Sequence, residues 1–381
     1  MGLRDVLLFL LLLVLPFAVI ELVIAAWRYL NDRLRKGWKH DRSLRDIRAH
    51  GIAAVILSLV VLVALAILEI PPLLPRLLAP SARFTEIPIP APGTSADQIV
   101  LGPDGAFWFT QPDSGQIGRI SKSGQVTEFP LPTAHSSPSG ITAGSDGALW
   151  FTETNANQIG RITTSGQVTE FPLPPNNSSP GAITAGPDGA LWFTEAGPDE
   201  LGRVTIGRIT TTGHISEFFL PLAKSFPAGI VAGPDGALWF TETNTNQIGR
   251  ITTSGQVTEF PLPTINSFPT SIAVGPDGAL WFTEAGTDQI GRITTGGRLT
   301  EFTIPTANCT PWGITAGPDG ALWFTEAGAG QIGRISTSGQ VFEYLVPTAS
   351  SSPDGIAAGP DSTLWFTESS AKLIGQLRAS G

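Results

Sequence analysis

From Phe84 onward the chain is a train of short apolar runs separated by Gly, Pro, Asp and Ser. One run recurs as Leu/Phe-Trp-Phe-Thr-Glu/Gln, with its tryptophan at Trp108, Trp150, Trp192, Trp239, Trp281, Trp323 and Trp365, in steps of 42 residues broken once by a step of 47. Within one interval, Ser139 to Pro174, four strand-length runs follow one another: GITAG, ALWFTE, QIGRIT and QVTEFP. Asp-Gly and Thr-Ser-Gly turns separate them, where Gly accepts a positive φ. Strands rich in Thr, Val, Ile, Phe and Trp suit a pleated, half-buried surface. The run around each Trp scarcely alternates, as in a sheet covered on both faces. Gly and Pro break every run too early for a helical solenoid. Such a period, with several strands per unit, predicts a blade array. Seven units close a ring that has no exposed sheet edge.

The outer-strand phrase predicts how the ring closes. Its glutamate recurs at Glu86, Glu128, Glu170, Glu217, Glu259, Glu301 and Glu343, so one copy precedes the first Trp and none follows the last. The N-terminal copy, Phe84 to Pro90, is therefore expected to complete the seventh sheet and remove its free edges. A second regularity concerns charge. Glutamate ends the Trp run at Glu153, Glu195, Glu242, Glu284, Glu326 and Glu368, with Gln111 in the first repeat. Arginine recurs at Arg119, Arg161, Arg208, Arg250, Arg292 and Arg334, with Gln376 in the seventh. A half-buried charge without a partner is costly. The offset of the two exceptions suggests that each Arg meets the Glu of the next blade. Independent drift in the end blades is the plainer alternative.

Residues 1–83 differ in kind. Two apolar stretches, 6–27 and 51–70, are each long enough to cross a hydrocarbon core, although Glu21 lies in the first. Between them, residues 28–50 carry Arg28, Arg33, Arg35, Lys36, Lys39, Arg42, Arg45 and Arg48. Positive loops stay cytoplasmic, so an α-helical transmembrane hairpin is expected, followed by a Pro-rich linker at 71–83 and an extracytoplasmic domain over 84–381. A cleaved signal peptide is the other reading of the first span. The predicted fold class is thus all-β: a seven-bladed β-propeller of four-stranded blades, behind a membrane anchor.

Charge narrows the partners. Beyond residue 83 there are 12 Lys/Arg against 26 Asp/Glu. So acidic a domain does not grip a phosphate backbone, and no nucleic acid is expected. A small molecule or protein at the channel mouth, and membrane lipid along the N-terminal spans, are the expected partners; a monomer is the expected state. The lone Cys309 excludes an internal disulfide. No Ser-His-Asp, Cys-His, zinc-ligand or phosphate-loop pattern is present.

Loops entering the innermost strands should gather at one mouth of the channel. The residue just before each of those strands is Asp97, Ser139, Gly181, Ala228, Thr270, Trp312 and Asp354 in turn. Once the ring is closed, Trp312, Asp354 and Asp97 fall on contiguous blades. Two carboxylates beside an aromatic wall can hold a divalent cation through oxygen, or an organic cation with Trp312 as a cation–π partner. Solvated carboxylates beside a Trp that covers the rim are the plainer reading.

The repeat text Gly-Ile-Thr-Ala-Gly, Leu-Trp-Phe-Thr-Glu, Gln-Ile-Gly-Arg-Ile-Thr and Val-Thr-Glu-Phe-Pro-Leu-Pro closely resembles that of the virginiamycin B lyase (streptogramin lyase) family, over about Phe84 to Arg378. The resemblance implies a monomeric seven-bladed propeller and, in active members, magnesium-dependent elimination that opens streptogramin B depsipeptides at the ester. It also implies a site. The family's catalytic histidines, in the last two blades, and its first-blade tyrosine correspond here to Trp312, Asp354 and Asp97. The glutamate two residues before the last histidine is Ser352, and the metal-associated glutamate is matched by Glu368. The usual histidine base is therefore replaced. Two functions follow as expectations: a ligand- or protein-binding module at Asp97, Trp312, Ser352 and Asp354; or a C–O lyase with Asp354 as base and Mg2+ at Glu368.

Overall fold

A computed structural model describes residues 82–90, 94–174, 178–197 and 202–379. The described strands form seven four-stranded antiparallel sheets. In the second repeat these are Pro138–Ala143, Leu149–Glu153, Gln158–Ile162 and Val168–Pro172, from the axis outward. Among the described residues no helix is long and apolar enough to cross a membrane; the two expected spans lie outside those residues.

Closure follows the expectation. Strand Ala82–Pro88 pairs antiparallel with Leu373–Ala379 and becomes the outer strand of the seventh sheet, with Glu86 opposite Gly375. The same interlock repeats in the loops, where Thr348 donates from Oγ1 to Glu86 at 2.8 Å.

The apolar core lies between blades. Each of seven buried clusters joins the Trp of one blade to the Trp run of the next, in six of them through its Leu and Phe; Trp108, for instance, packs with Leu149 and Phe151. The cluster of Trp365 with Phe107 and Phe109 seals the seventh blade against the first. Burial on both sheet faces explains why the Trp run lacks alternation. It also explains the glycine of Ile-Gly-Arg: a Cβ on Gly160 would collide with the Phe151 ring.

The two ends of the ring are built differently. At the end holding the Pro-Asp-Gly and Thr-Ser-Gly turns, one device recurs in six blades. The turn aspartate accepts from the Trp indole N–H at 3.0–3.1 Å and from the Arg Nε at 2.6–2.7 Å. The guanidinium lies 5.7–5.9 Å from the centre of the same Trp ring, within cation–π range. This overturns the expectation that Arg119 meets Glu153. Arg119 pairs with Asp104 of its own blade. Register gives the reason: Arg119 stands opposite Trp108, three residues along the strand from Gln111. In the seventh blade Gln376 replaces the arginine, and Thr363 takes the indole of Trp365 at 3.2 Å.

Candidate functional site at the loop end of the channel

At the opposite end, the loops between blades lead into the innermost strands. Seven threonines set the geometry there. Each one, from the Trp run, accepts the N–H of its own innermost strand at 2.8–3.1 Å. Each then donates to a carbonyl of the next blade at 2.6–3.0 Å. The acceptors are Ser139, Gly181, Ala228, Thr270, Trp312, Asp354 and, across the closure, Asp97. These are the seven positions aligned from sequence, and they form one hydrogen-bonded ring. In blades two to seven the register slips at this point, for example between Pro353 and Ile356. A bulge of this kind re-aims a side chain out of the pleat.

Trp312, Asp354 and Asp97 are therefore neighbours, as expected. Trp312 is 40% exposed, far more than the other tryptophans of the propeller, which are buried. Asp97 and Asp354 are half-buried. The Asp354 Oδ1 atom is shielded from solvent and has no hydrogen-bond partner. Burial raises the Asp354 carboxyl well above the ordinary range, and the Asp97 charge beside it raises it further. Burial raises Asp97 too, against bonds from Gln98 and Ser139 that lower it; the Ser139 contact is 3.5 Å. Two like charges in one desolvated spot do not both ionise readily, so the pair holds a proton near neutral pH.

The other two expected residues have partners of their own. Ser352 has a positive φ of 50°, and its hydroxyl accepts from Ser370 at 3.0 Å. Glu368 is fully buried, with Ser351 and Glu86 as its polar neighbours. Among the described residues no three His, Cys, Asp or Glu side chains gather closely enough to hold a metal ion. Glu368, Asp354 and Asp97 therefore do not form a cluster of three carboxylates.

Glu368 belongs instead to a structural series. Glu153, Glu195, Glu242, Glu284 and Glu326 are fully buried at the same strand position, and the first four each feel the charge of an outer-strand glutamate. Burial, with the second glutamate's charge, lifts Glu153 and Glu242 to about 7 and Glu284 to about 8. In the first blade Gln111 shows what such a group does when it carries hydrogen: its Nε2 donates to Glu128 at 3.0 Å. A protonated glutamate can make the same bond, which explains why the position reads Glu or Gln. The sequence suggests a pairing with Arg for these residues, and a metal for Glu368; it does not suggest a bond between two carboxyls.

A family model described as the virginiamycin B lyase family matches residues 76–206 and 204–381. Among solved structures, a streptogramin B lyase is 42% identical, with a TM-score of 0.74, over 78% of this chain and 98% of its own. Virginiamycin B lyase from Staphylococcus aureus is 44% identical, with a TM-score of 0.74, over 79% of this chain and 100% of its own. A catalytically inactive histidine-to-alanine variant of the staphylococcal lyase, solved with quinupristin, matches with the same identity, coverage and score. No curated protein matches. Those relatives are matched over almost their whole length, and residues 72–381 of this chain form one compact unit. Matched end to end over all seven blades, the chain belongs to the virginiamycin B lyase family.

Proposed function

We propose that this propeller is a ligand-binding member of its family, which receives a cationic small molecule at the mouth between blades six, seven and one. The observation that carries the reading is the unpartnered, shielded Oδ1 of Asp354 in a carboxyl pair with Asp97, with the exposed Trp312 at the matching position of the neighbouring blade. A buried carboxylate needs a compensating partner. An organic cation supplies charge to the pair and a face for the indole, worth about 0.5–2 kcal/mol from the ring alone. Asp97 and Asp354 provide the charge, and Trp312 is the wall. The test is calorimetric titration of the propeller with tetraethylammonium at about pH 8.5. Binding is expected, with a loss of at least about tenfold in Asp354→Asn. Equal affinity in the two proteins refutes the reading.

A second reading has its own support. Family membership, with Asp354 held near neutral, favours a C–O lyase in which Asp354 is the base. A carboxylate raised toward the working pH is a competent proton acceptor. It would take a proton from carbon beside a carbonyl while the ester C–O bond breaks. Incubation with quinupristin and magnesium, followed by mass spectrometry for the linear product, tests this. No product excludes it. Product that persists in Asp354→Asn removes Asp354 from the role.

We also propose extracytoplasmic display on the membrane, with 6–27 and 51–70 as spans and the basic residues 28–50 inside. Protease accessibility of the propeller in intact cells tests the orientation; protection from added protease would reverse it.

A further inference from the structure

The exposed large apolar side chains of the described residues all lie at one end of the ring. Phe219, Leu222, Phe226, Ile265, Phe268, Trp312 and Leu345 are 39% to 78% exposed, and each sits in a loop entering an innermost strand, at the start of that strand, or at the end of an outer one. Five of them, Leu222, Phe226, Ile265, Phe268 and Trp312, fall on the entries to three successive blades, the fourth to the sixth. The seventh and first blades then bring Asp354 and Asp97. The mouth is thus divided into an apolar arc and an acidic pair.

Backbone conformation marks two of the five. Phe226 and Phe268 hold φ of 55° and 47°, the left-handed region that bulky side chains avoid. Equivalent positions in other blades carry short polar residues, Ser137, Ser179, Thr310 and Ser352. Unfavourable backbone is kept where the surroundings or the function demand it. Here the rings gain little burial in return, since both are close to half exposed.

We propose that this arc is the apolar half of the ligand site and that the ligand is an amphiphilic organic cation. Its apolar body lies on Leu222, Phe226, Ile265, Phe268 and Trp312, and its charge lies at Asp97 and Asp354. The inference rests on the cation-binding reading above. Exposed apolar side chains gathered on three successive entries mark a binding site, and the acidic end selects the sign of what binds. Leu222 carries the same signature. It stands where Thr133 and Thr264 donate hydroxyls to Glu170 and Glu301, so its blade forgoes that bond, and Glu259 Oε1 is left without a partner.

The test uses the propeller, residues 72–381, and two ions of one shape and opposite charge: tetraphenylphosphonium and tetraphenylborate. Calorimetry at about pH 8.5 is expected to show the cation binding at least about tenfold more tightly than either the borate or tetramethylammonium. Phe226→Ser with Phe268→Ser restores the residue found in other blades and should leave the fold intact, as a circular dichroism melt will verify. The double variant should lose about tenfold for the phosphonium and nothing for tetramethylammonium. Asp97→Asn with Asp354→Asn should erase the preference for the cation. If the phosphonium binds the phenylalanine variant as tightly as wild type, the apolar arc is not part of the site, and the acidic reading survives alone. If the aspartate variant keeps its preference, the cation reading itself falls. Equal binding of both ions by wild type, or retention of phosphatidylcholine vesicles through Phe226 and Phe268 without phosphonium binding, overturns the proposal in favour of unselective or lipid contact.

Discussion

The two ends of the ring were written from one repeat and have diverged in opposite degrees. At the turn end, aspartate, tryptophan and arginine form the same cluster in six blades, with ion-pair distances that vary by a tenth of an ångström. At the loop end, the seven ring positions share a backbone geometry and share almost nothing else: Asp, Ser, Gly, Ala, Thr, Trp and Asp. The threonine ring explains how both are possible. It bonds carbonyls and N–H groups, so it fixes where each ring residue stands without constraining its side chain. Repetition at one end supplies stability, and freedom at the other supplies a site.

If that division is real, substitutions at the two ends should separate stability from binding. The largest effect is expected from Trp239→Ala, which empties a fully buried ring between two blades. It should cost about 3–5 kcal/mol in denaturant unfolding and leave the ligand affinity of the folded fraction unchanged. Asp188→Ala comes next. It strips Trp192 and Arg208 of their common acceptor and should cost about 2 kcal/mol, again without an effect on binding. Either variant abolishing cation binding in a folded protein would break the comparison.

Acidity sharpens it further, because titrating groups at the two ends oppose each other. The buried glutamates hold protons up to about 7 or 8 when folded, but only to about 4.3 when unfolded. Their contribution is complete below the unfolded value and is lost as pH rises through the folded one. For the turn aspartates, burial pulls upward, but bonds from the indole and the arginine overcome it and hold the carboxyl below its usual range. Their contribution is present above the unfolded value and is lost as pH falls through the folded one. The melting temperature should therefore peak in mild acid and decline toward pH 8. Glu153→Gln, Glu242→Gln and Glu284→Gln together should flatten the alkaline decline, since Gln111 already serves in the first blade. An unchanged decline would show that these carboxyls do not carry it. The smallest stability effect should be that of Asp354→Asn: a melting temperature held or raised slightly by relief of like charge, with the site disabled.

Much of this was legible from residue order. Counting the outer-strand phrase against the Trp phrase places the copy from Phe84 to Pro90 in the seventh sheet, where the strand Ala82–Pro88 is found. Aligning the residue before each innermost strand brought Trp312, Asp354 and Asp97 together. What the sequence misassigned was direction along a strand. Periodicity says that Arg and Glu recur once per blade, but not that Arg points to the turn end, where the aspartate of the Asp-Gly turn, Asp104 in the first blade, accepts it. Nor did the pattern disclose the apolar arc. Phe226 and Phe268 lie in loops without a period, where exposure and a positive φ leave no mark on composition. Aligning the residue before each entry proline would have exposed them, because two phenylalanines stand there among serines and a threonine.

The account turns on Asp97 and Asp354 acting as one desolvated carboxyl pair that takes up a cation as it loses its shared proton. The direct measurement is the affinity of the propeller for tetraethylammonium from about pH 5 to about pH 9. Affinity is predicted to climb through neutrality in the wild-type protein, and the climb should vanish in Asp354→Asn. A flat profile in the wild type, or the same climb in the variant, would contradict it.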